Sequence, residues 1–160
     1  MFESRDLFFQ RISDRAGVLV AVDYGTRKVG FAVSDECRQV AFPRDVLIGN
    51  WGEFDNVFSA ISKYICKFNV CGIVLGWSKK MDGNLHENCE IILKIAEKLA
   101  EEFPVLLADE RFTTRATYAV ERFERKKFGS KHKIKFKEKN NDARAAAIIL
   151  NEVLDGLNRG

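Results

Sequence analysis

The stretch VLVAVDYGTRKVGFAVSD, residues 18–35, decides how the rest of the chain is read. Residues 18–22 are an unbroken apolar run. Without polar alternation, such a run suits a strand buried on both faces, in the middle of a sheet. The run stops at a carboxylate, Asp23. Gly25, Thr26, Arg27 and Lys28 supply turn chemistry, and residues 29–33 read as a second strand. The stretch is therefore a hairpin whose central first strand ends in an acid. Taken alone, Asp23 also fits the role of a residue that merely starts a turn. Gly25 and Gly30 carry no side chain, so a bulky substrate backbone can approach the acid closely.

Working outward, residues 39–48 offer a third strand, placed at an edge because Pro43 removes a ladder donor. Phe54, Val57, Phe58, Ile61, Tyr64, Ile65 and Phe68 recur at three and four residues and mark one face of a helix. Residues 70–75 form a fourth strand ending at Gly76. Cys89, Ile92, Leu93, Ile95, Ala96 and Leu99 define a second helix, and residues 104–108 a short fifth strand that runs into Asp109, Glu110 and Arg111. Thr113 and Thr114 are natural caps for a third helix through about residue 127. Asn140, Asn141 and Asp142 open a last helix, with Ala143, Ala146, Ala147, Leu150, Val153 and Leu154 inward; its alanines let it lie close to a sheet. Residues 1–17 form an extension in which Phe2, Leu7, Phe8, Phe9 and Ile12 suit a short amphipathic helix lying on the 18–160 domain. The expected fold is α/β: a mixed five-stranded sheet, a three-strand antiparallel meander plus right-handed parallel crossovers, with helices on both faces.

At 160 residues the chain is one domain large enough to bury a core without staples. No apolar run reaches the ~18 residues of a membrane span, and no signal-peptide core is present. The four cysteines, at 37, 66, 71 and 89, contain no C-x-x-C pair, which points to reduced thiols and a cytoplasmic location. Cys66 and Cys89 fall among apolar helix positions, so they read as buried and not, with His86, as a zinc set. Net charge is +3, but residues 125–139 hold eight Lys or Arg and one Glu, leaving −4 elsewhere. Basic charge concentrated in this way fits a nucleic-acid surface or a solvated charge run.

The acids carry the chemistry. Asp23 ends strand one, Asp109 and Glu110 end strand five, and Asp142 opens the last helix. Sites in open sheets form beyond the carboxyl ends of strands. Three acids gathered there repel unless a cation neutralises them, and carboxylate oxygens suit Mg²⁺ or Mn²⁺. Two such ions about 4 Å apart stabilise both oxygens of a phosphodiester displacement. Arg27, Lys28 and Arg111 lie beside the acids in sequence and can hold a phosphate, or serve as turn charge and an ion pair. Lys126, Lys127, Lys133, Lys135 and Lys137 are the candidate backbone grips of the basic segment.

VDYGTRKVGFAVSD, MDG, DERFTT and NNDARAAAIIL, in this order, resemble the YqgF (RuvX-type) family, over roughly residues 18–157. These are bacterial proteins of ribonuclease H-like fold associated with Holliday junction resolution and with maturation of the 5′ end of pre-16S ribosomal RNA. The resemblance implies that Asp23 is the first metal-binding acid and Asp142 the last, with Asp109 or Glu110 between them. Related resolvases take the middle acid from the end of strand four. Here that place holds Gly76 and Trp77, so strand five must supply it. Side chains alternate across a strand, so one of the pair points inward, and Glu110 is favoured. The family's Leu-Pro after Gly76 is replaced by Trp77 and Ser78, where Trp77 can stack on a base or pack on a helix.

The expected function is metal-dependent hydrolysis of structured nucleic acid, an rRNA precursor or branched DNA, by a monomer or a homodimer. A non-catalytic RNA-binding assembly factor on the same fold is the alternative. An actin-like phosphotransferase shares the Asp-x-Gly-Thr turn, but 160 residues supply one lobe where that class needs two.

Overall fold

The structure, a computed structural model, describes residues 4–77, 85–108 and 141–159. Its elements are α1 (Arg5–Ser13), β1 (Val18–Tyr24), β2 (Lys28–Ser34), β3 (Ala41–Ile48), α2 (Phe54–Ile65), β4 (Val70–Trp77), α3 (Leu85–Leu99), β5 (Val105–Ala108) and α4 (Asn141–Arg159). The helix expected after Thr113, and the basic segment, lie outside the described residues.

The five strands form one sheet in the order β3-β2-β1-β4-β5. β1 is central, as its apolar run requires. β1–β2 and β2–β3 pair antiparallel, while β1–β4 and β4–β5 pair parallel. β3 is an edge strand, and its Pro43 sits opposite Ala32 beside an irregularity in the β2–β3 ladder. A second irregularity falls between Val18 and Leu19, where the buried Ser34 hydroxyl accepts the Leu19 N–H at 2.9 Å.

Each face of the sheet is covered. Val20, Val22 and Tyr24 of β1, with Phe31, Ile73 and Leu75, pack against α2 and α3. Leu19 and Ala21, with Ala32, Val74 and Leu106, pack against α1 and α4. The period-two alternation thus sorts residues between two helical layers instead of between core and water. α1 is too short to persist alone. It is held by Ser4, whose hydroxyl caps Leu7 N–H, and by Phe8 and Ile12, both fully buried. Each such side chain contributes about 2 kcal/mol, enough to make the helix part of the core. Gly72 leaves room for it, since a Cβ there would meet Ile12, Leu19 and Phe8 at about 3 Å.

Two expectations change. Asp23 does not end its strand: β1 continues through it to Tyr24, and the turn begins only at Gly25. Cys66 is exposed, not buried, because α2 ends at Ile65 and Cys66 caps it, so the apolar periodicity no longer dictates its direction. The side chain of Cys89 lies outside the described residues; Cys71 is buried and Cys37 exposed.

Gly17 fixes how the chain enters β1. Its φ is +123°, and a Cβ would stand 2.4 Å from the backbone oxygen of Asn69, which accepts the Val18 N–H. No rotamer relieves a clash with backbone. Gly17→Ala is therefore expected to cost about 2 kcal/mol or more in urea unfolding, and an unchanged midpoint would contradict this account of the β1 start.

Candidate active site

Asp23 lies in β1 between two glycines: it pairs with Gly30 on β2 and with Gly76 on β4. By alternation its side chain belongs with Leu19 and Ala21 on the face covered by α4. It is 6% exposed. A turn-initiating aspartate sits in solvent; this one is a buried carboxyl group inside a ladder, directly opposite a glycine on each neighbouring strand.

The helix that crosses this face has a direction fixed by three contacts. Its C-terminal part lies at the β2–β3 turn, where Asn158 donates to the Arg38 carbonyl and accepts from Gln39. Asn151 accepts the N–H of Ala41, the first residue of β3. Ile149 lies over Gly76, level with Asp23. Read backwards, α4 climbs toward the rim where β1 ends, so Asn141 and Asp142 open the helix at Asp23's end of the sheet. The side chain of Asp142 lies outside the described residues. A carboxylate in a helix's first turn is favoured by the partial positive charge there.

The contact at Gly76 explains a departure noted in the sequence. A Cβ at that position would approach Ile149 Cδ1 to 2.5 Å. The space over the β4 position that pairs with Asp23 is thus occupied by Ile149 of α4, and a side chain there would require Ile149 to shift. One rung on, Ala108 of β5 pairs with Gly76. Asp23, Gly76 and Ala108 stand level, and Ala108 is the residue before Asp109 and Glu110. Those two acids and Arg111 lie outside the described residues, as do Lys126, Lys127, Lys133, Lys135 and Lys137.

Of the basic candidates near the hairpin, Lys28 opens β2 two residues before Gly30, on the parity of Gly30 and Ala32 and hence on Asp23's face; it is exposed. Arg27 is exposed in the turn itself. The structure adds one residue that sequence reading passed over. Arg144, in the first turn of α4, is a buried cation. It stands one position off the Ala143–Ala146–Ala147 stripe, so periodicity marks it as solvent-facing, and only the close seat of α4 reveals its burial.

The rim is braced behind Asp23. The Tyr24 hydroxyl donates to the Trp51 carbonyl at 2.7 Å, Trp51 N–H donates to the Thr26 carbonyl at 2.7 Å and Gly49 N–H to that of Arg27 at 2.9 Å. Burial pushes the Tyr24 phenol up to about 12. Trp77 pairs in register with Tyr24 at the end of β4; its side chain lies outside the described residues.

With this geometry in view, comparison with known proteins becomes informative. The sequence profile of a family described as "RuvX: Holliday junction resolvase" matches residues 17–156. The chain belongs to the RuvX family. It is 38% identical over 145 residues, 88% of each chain, to a "Putative pre-16S rRNA nuclease" of Rickettsia felis. A protein of the same description from Rickettsia peacockii is 35% identical over 153 residues, 93% of each chain. Among solved structures, RuvC of T. thermophilus, in complex with a Holliday junction substrate, superposes with a TM-score of 0.56 at 16% identity, covering 87% of this chain and 94% of that one. The fowlpox virus Holliday junction resolvase gives 0.54 at 14%, covering 88% and 99%. At such identities the likeness establishes the fold, which is RuvC-like and ribonuclease H-like.

Two substitutions check the site's supports. Gly76→Ala is expected to destabilise the protein by about 1 kcal/mol through contact with Ile149, and Ile149→Val to recover part of that loss in the double variant; strictly additive costs would contradict the contact. Tyr24 keeps its proton in the folded state up to about pH 12 but loses it near 10 when unfolded. Stability therefore falls as pH rises from about 10 toward 12. Tyr24→Phe is expected to lose about 1 kcal/mol at pH 8 and to flatten that alkaline limb, measured by urea unfolding at a series of pH values.

Proposed function

We propose that this RuvX-family chain is a divalent-metal-dependent nuclease that trims the 5′ end of precursor 16S ribosomal RNA. The observation that carries the reading is Asp23: a buried carboxylate inside the central strand, on the face and at the rim where α4 begins with Asp142. Burying a carboxylate is costly unless its charge is compensated, and a hard-oxygen set is a home for Mg²⁺ or Mn²⁺. Asp23, Asp142 and one acid following β5 would hold the metal. For that last acid Glu110 is proposed, because the face-sharing residues of β5 are Leu106 and Ala108, and an even position keeps their parity. When bound, such ions stabilise charge on the phosphodiester and lower the pKa of an attacking water.

The chain's own residues have separate tasks. Asp23, fixed by ladder bonds on both sides, holds its position while a flexible polymer binds. Gly30 puts no side chain beside it on β2, while Ile149 of α4 covers its β4 side over Gly76. Lys28 and Arg27 bind phosphate at the open edge of the rim. Arg144 brings positive charge to the start of α4, offsetting the gathered acids. Outside the described residues, Arg111 and Lys126, Lys127, Lys133, Lys135 and Lys137 would extend the grip along the backbone. The relatives' description favours ribosomal RNA over branched DNA, and this substrate places the activity in the cytoplasm. Trimming one strand needs only one copy of the chain.

The test is cleavage of RNA carrying the 16S 5′ precursor, with a four-way DNA junction in parallel. RNA cleavage that stops with chelator and returns with Mn²⁺ is expected. Asp23→Asn, Asp142→Asn and Glu110→Gln should each lower it by about a hundredfold or more, a usual cost for removing a group that stabilises transition-state charge; Asp109→Asn should matter far less. Full activity in Asp23→Asn would reject the site. Chelator-insensitive RNA binding without cleavage would leave a binding factor on a nuclease fold.

A further inference from the structure

On the other face of the sheet, between α2 and the β3 edge, runs a cavity of about 490 Å³ lined by Leu47, Asn50, Trp51, Lys63, Tyr64 and Lys67, among others. We infer that this groove is a track for the single-stranded flank of the RNA, leading away from the Asp23 rim. The identity of the polymer rests on the nuclease reading; the groove's own features argue for a nucleic-acid strand.

Position comes first. The upper lip of the groove is Asn50 and Trp51, and Trp51 N–H is bonded to Thr26 and Gly49 N–H to Arg27. These are turn residues just after Asp23 and Tyr24. The groove therefore opens where a strand would leave the site, past the exposed cations of Arg27 and Lys28. From there α2 runs back toward the start of β4, carrying the groove along the molecule. Asn56 to Ile65 spans about 14 Å at helical rise, long enough for more than one nucleotide.

Chemistry comes second. The floor holds two aromatic rings locked by their polar edges. Trp51 Nε1–H donates to the Leu47 carbonyl at 3.0 Å, and Gly49 lacks the Cβ that would come within 2.8 Å of its ring. Tyr64 hydroxyl donates to Asp45 Oδ2 at 2.7 Å, and its ring stacks on Phe31 at 3.9 Å. The half-buried indole presents a fixed apolar surface on which a base can stack, at ~1–3 kcal/mol where such contacts form. At the far end Lys63 in the last turn of α2 and Lys67 just past its end, both exposed, offer two cations, with Lys67 Nζ 5.0 Å from the Tyr64 ring centre. Among the described residues lining the groove none is acidic. Rings, amides of Asn50 and Asn56, and spaced cations suit a strand with unstacked bases; a duplex hides its base faces.

The experiment measures binding by fluorescence anisotropy, in chelator, to an RNA hairpin with and without a single-stranded flank. Wild-type protein is compared with Lys63→Gln/Lys67→Gln. Wild type should bind the flanked hairpin more tightly. The double variant should lose about tenfold on the flanked RNA, remain within about twofold on the unflanked one, and show a salt slope shallower by about 1.4, as expected for two lost single-strand phosphate contacts. A 4-thiouridine in the flank should crosslink within residues 50–67. Equal affinities for both RNAs in wild type, an equal loss on both in the variant, or no loss would overturn the track. A lower melting temperature with unchanged flank preference would also overturn it, assigning the lysines to the C-terminus of α2 alone. Because binding is read without cleavage, a wild type that prefers the flank in chelator but fails to cut RNA once Mn²⁺ is supplied would sink the nuclease reading and leave the track standing.

Discussion

How closely α4 lies on the sheet determines the candidate site. A helix packed through large side chains stands off by their length. Here Ala146 and Ala147 share one buried cluster with Ala21 and Ala32, and Ile149 reaches into the space left by Gly76. Small residues on both partners bring backbone near backbone, and dispersion contacts accumulate over the area. That approach fixes where the helix starts. It puts Asp142 at the rim of β1 and buries Arg144 beside it in the chain. The same contact crowds the β4 position next to Asp23, where a Cβ would meet Ile149.

Much of this was legible from residue order. Continuous apolar runs identified β1 as a strand covered on both faces and β4 as a further strand, and Pro43 placed β3 at an edge. The three-four spacing located α2, and small residues marked the inner face of α4. What local sequence could not show was set by contacts between distant segments. Asp23 reads as a turn residue because glycine follows two positions later; only pairing with Gly30 and Gly76 reveals that the strand continues through it. Cys66 follows the helical period but lies just past the helix end, where the period has no force. Arg144 looks solvent-facing until the close seat of α4 buries it. Trp51 and Lys63 are twelve residues apart in a loop and a helix, and nothing in either segment announces a shared groove.

On the proposed reading, the two faces of the sheet divide the work. On one, a buried acid, neighbouring glycines and a helix start make a rigid corner suited to hard cations. On the other, fixed rings and exposed lysines make a surface suited to a chain without defined sequence. The β1–β2 turn joins them, and its backbone carbonyls at Thr26 and Arg27 receive N–H groups from the Trp51 loop. A displacement of that loop would thus be felt at both. The demand for rigidity explains why Tyr24, next to the acid, spends its hydroxyl on the Trp51 carbonyl and not on solvent.

The claim beneath all of this is that Asp23 and the start of α4 share one cation site. Anomalous diffraction from crystals grown in Mn²⁺ measures it directly. The account predicts a peak within coordination distance of an Asp23 carboxylate oxygen and of Asp142, lost in Asp23→Asn. Manganese bound elsewhere, or peaks unchanged by that substitution, would contradict it.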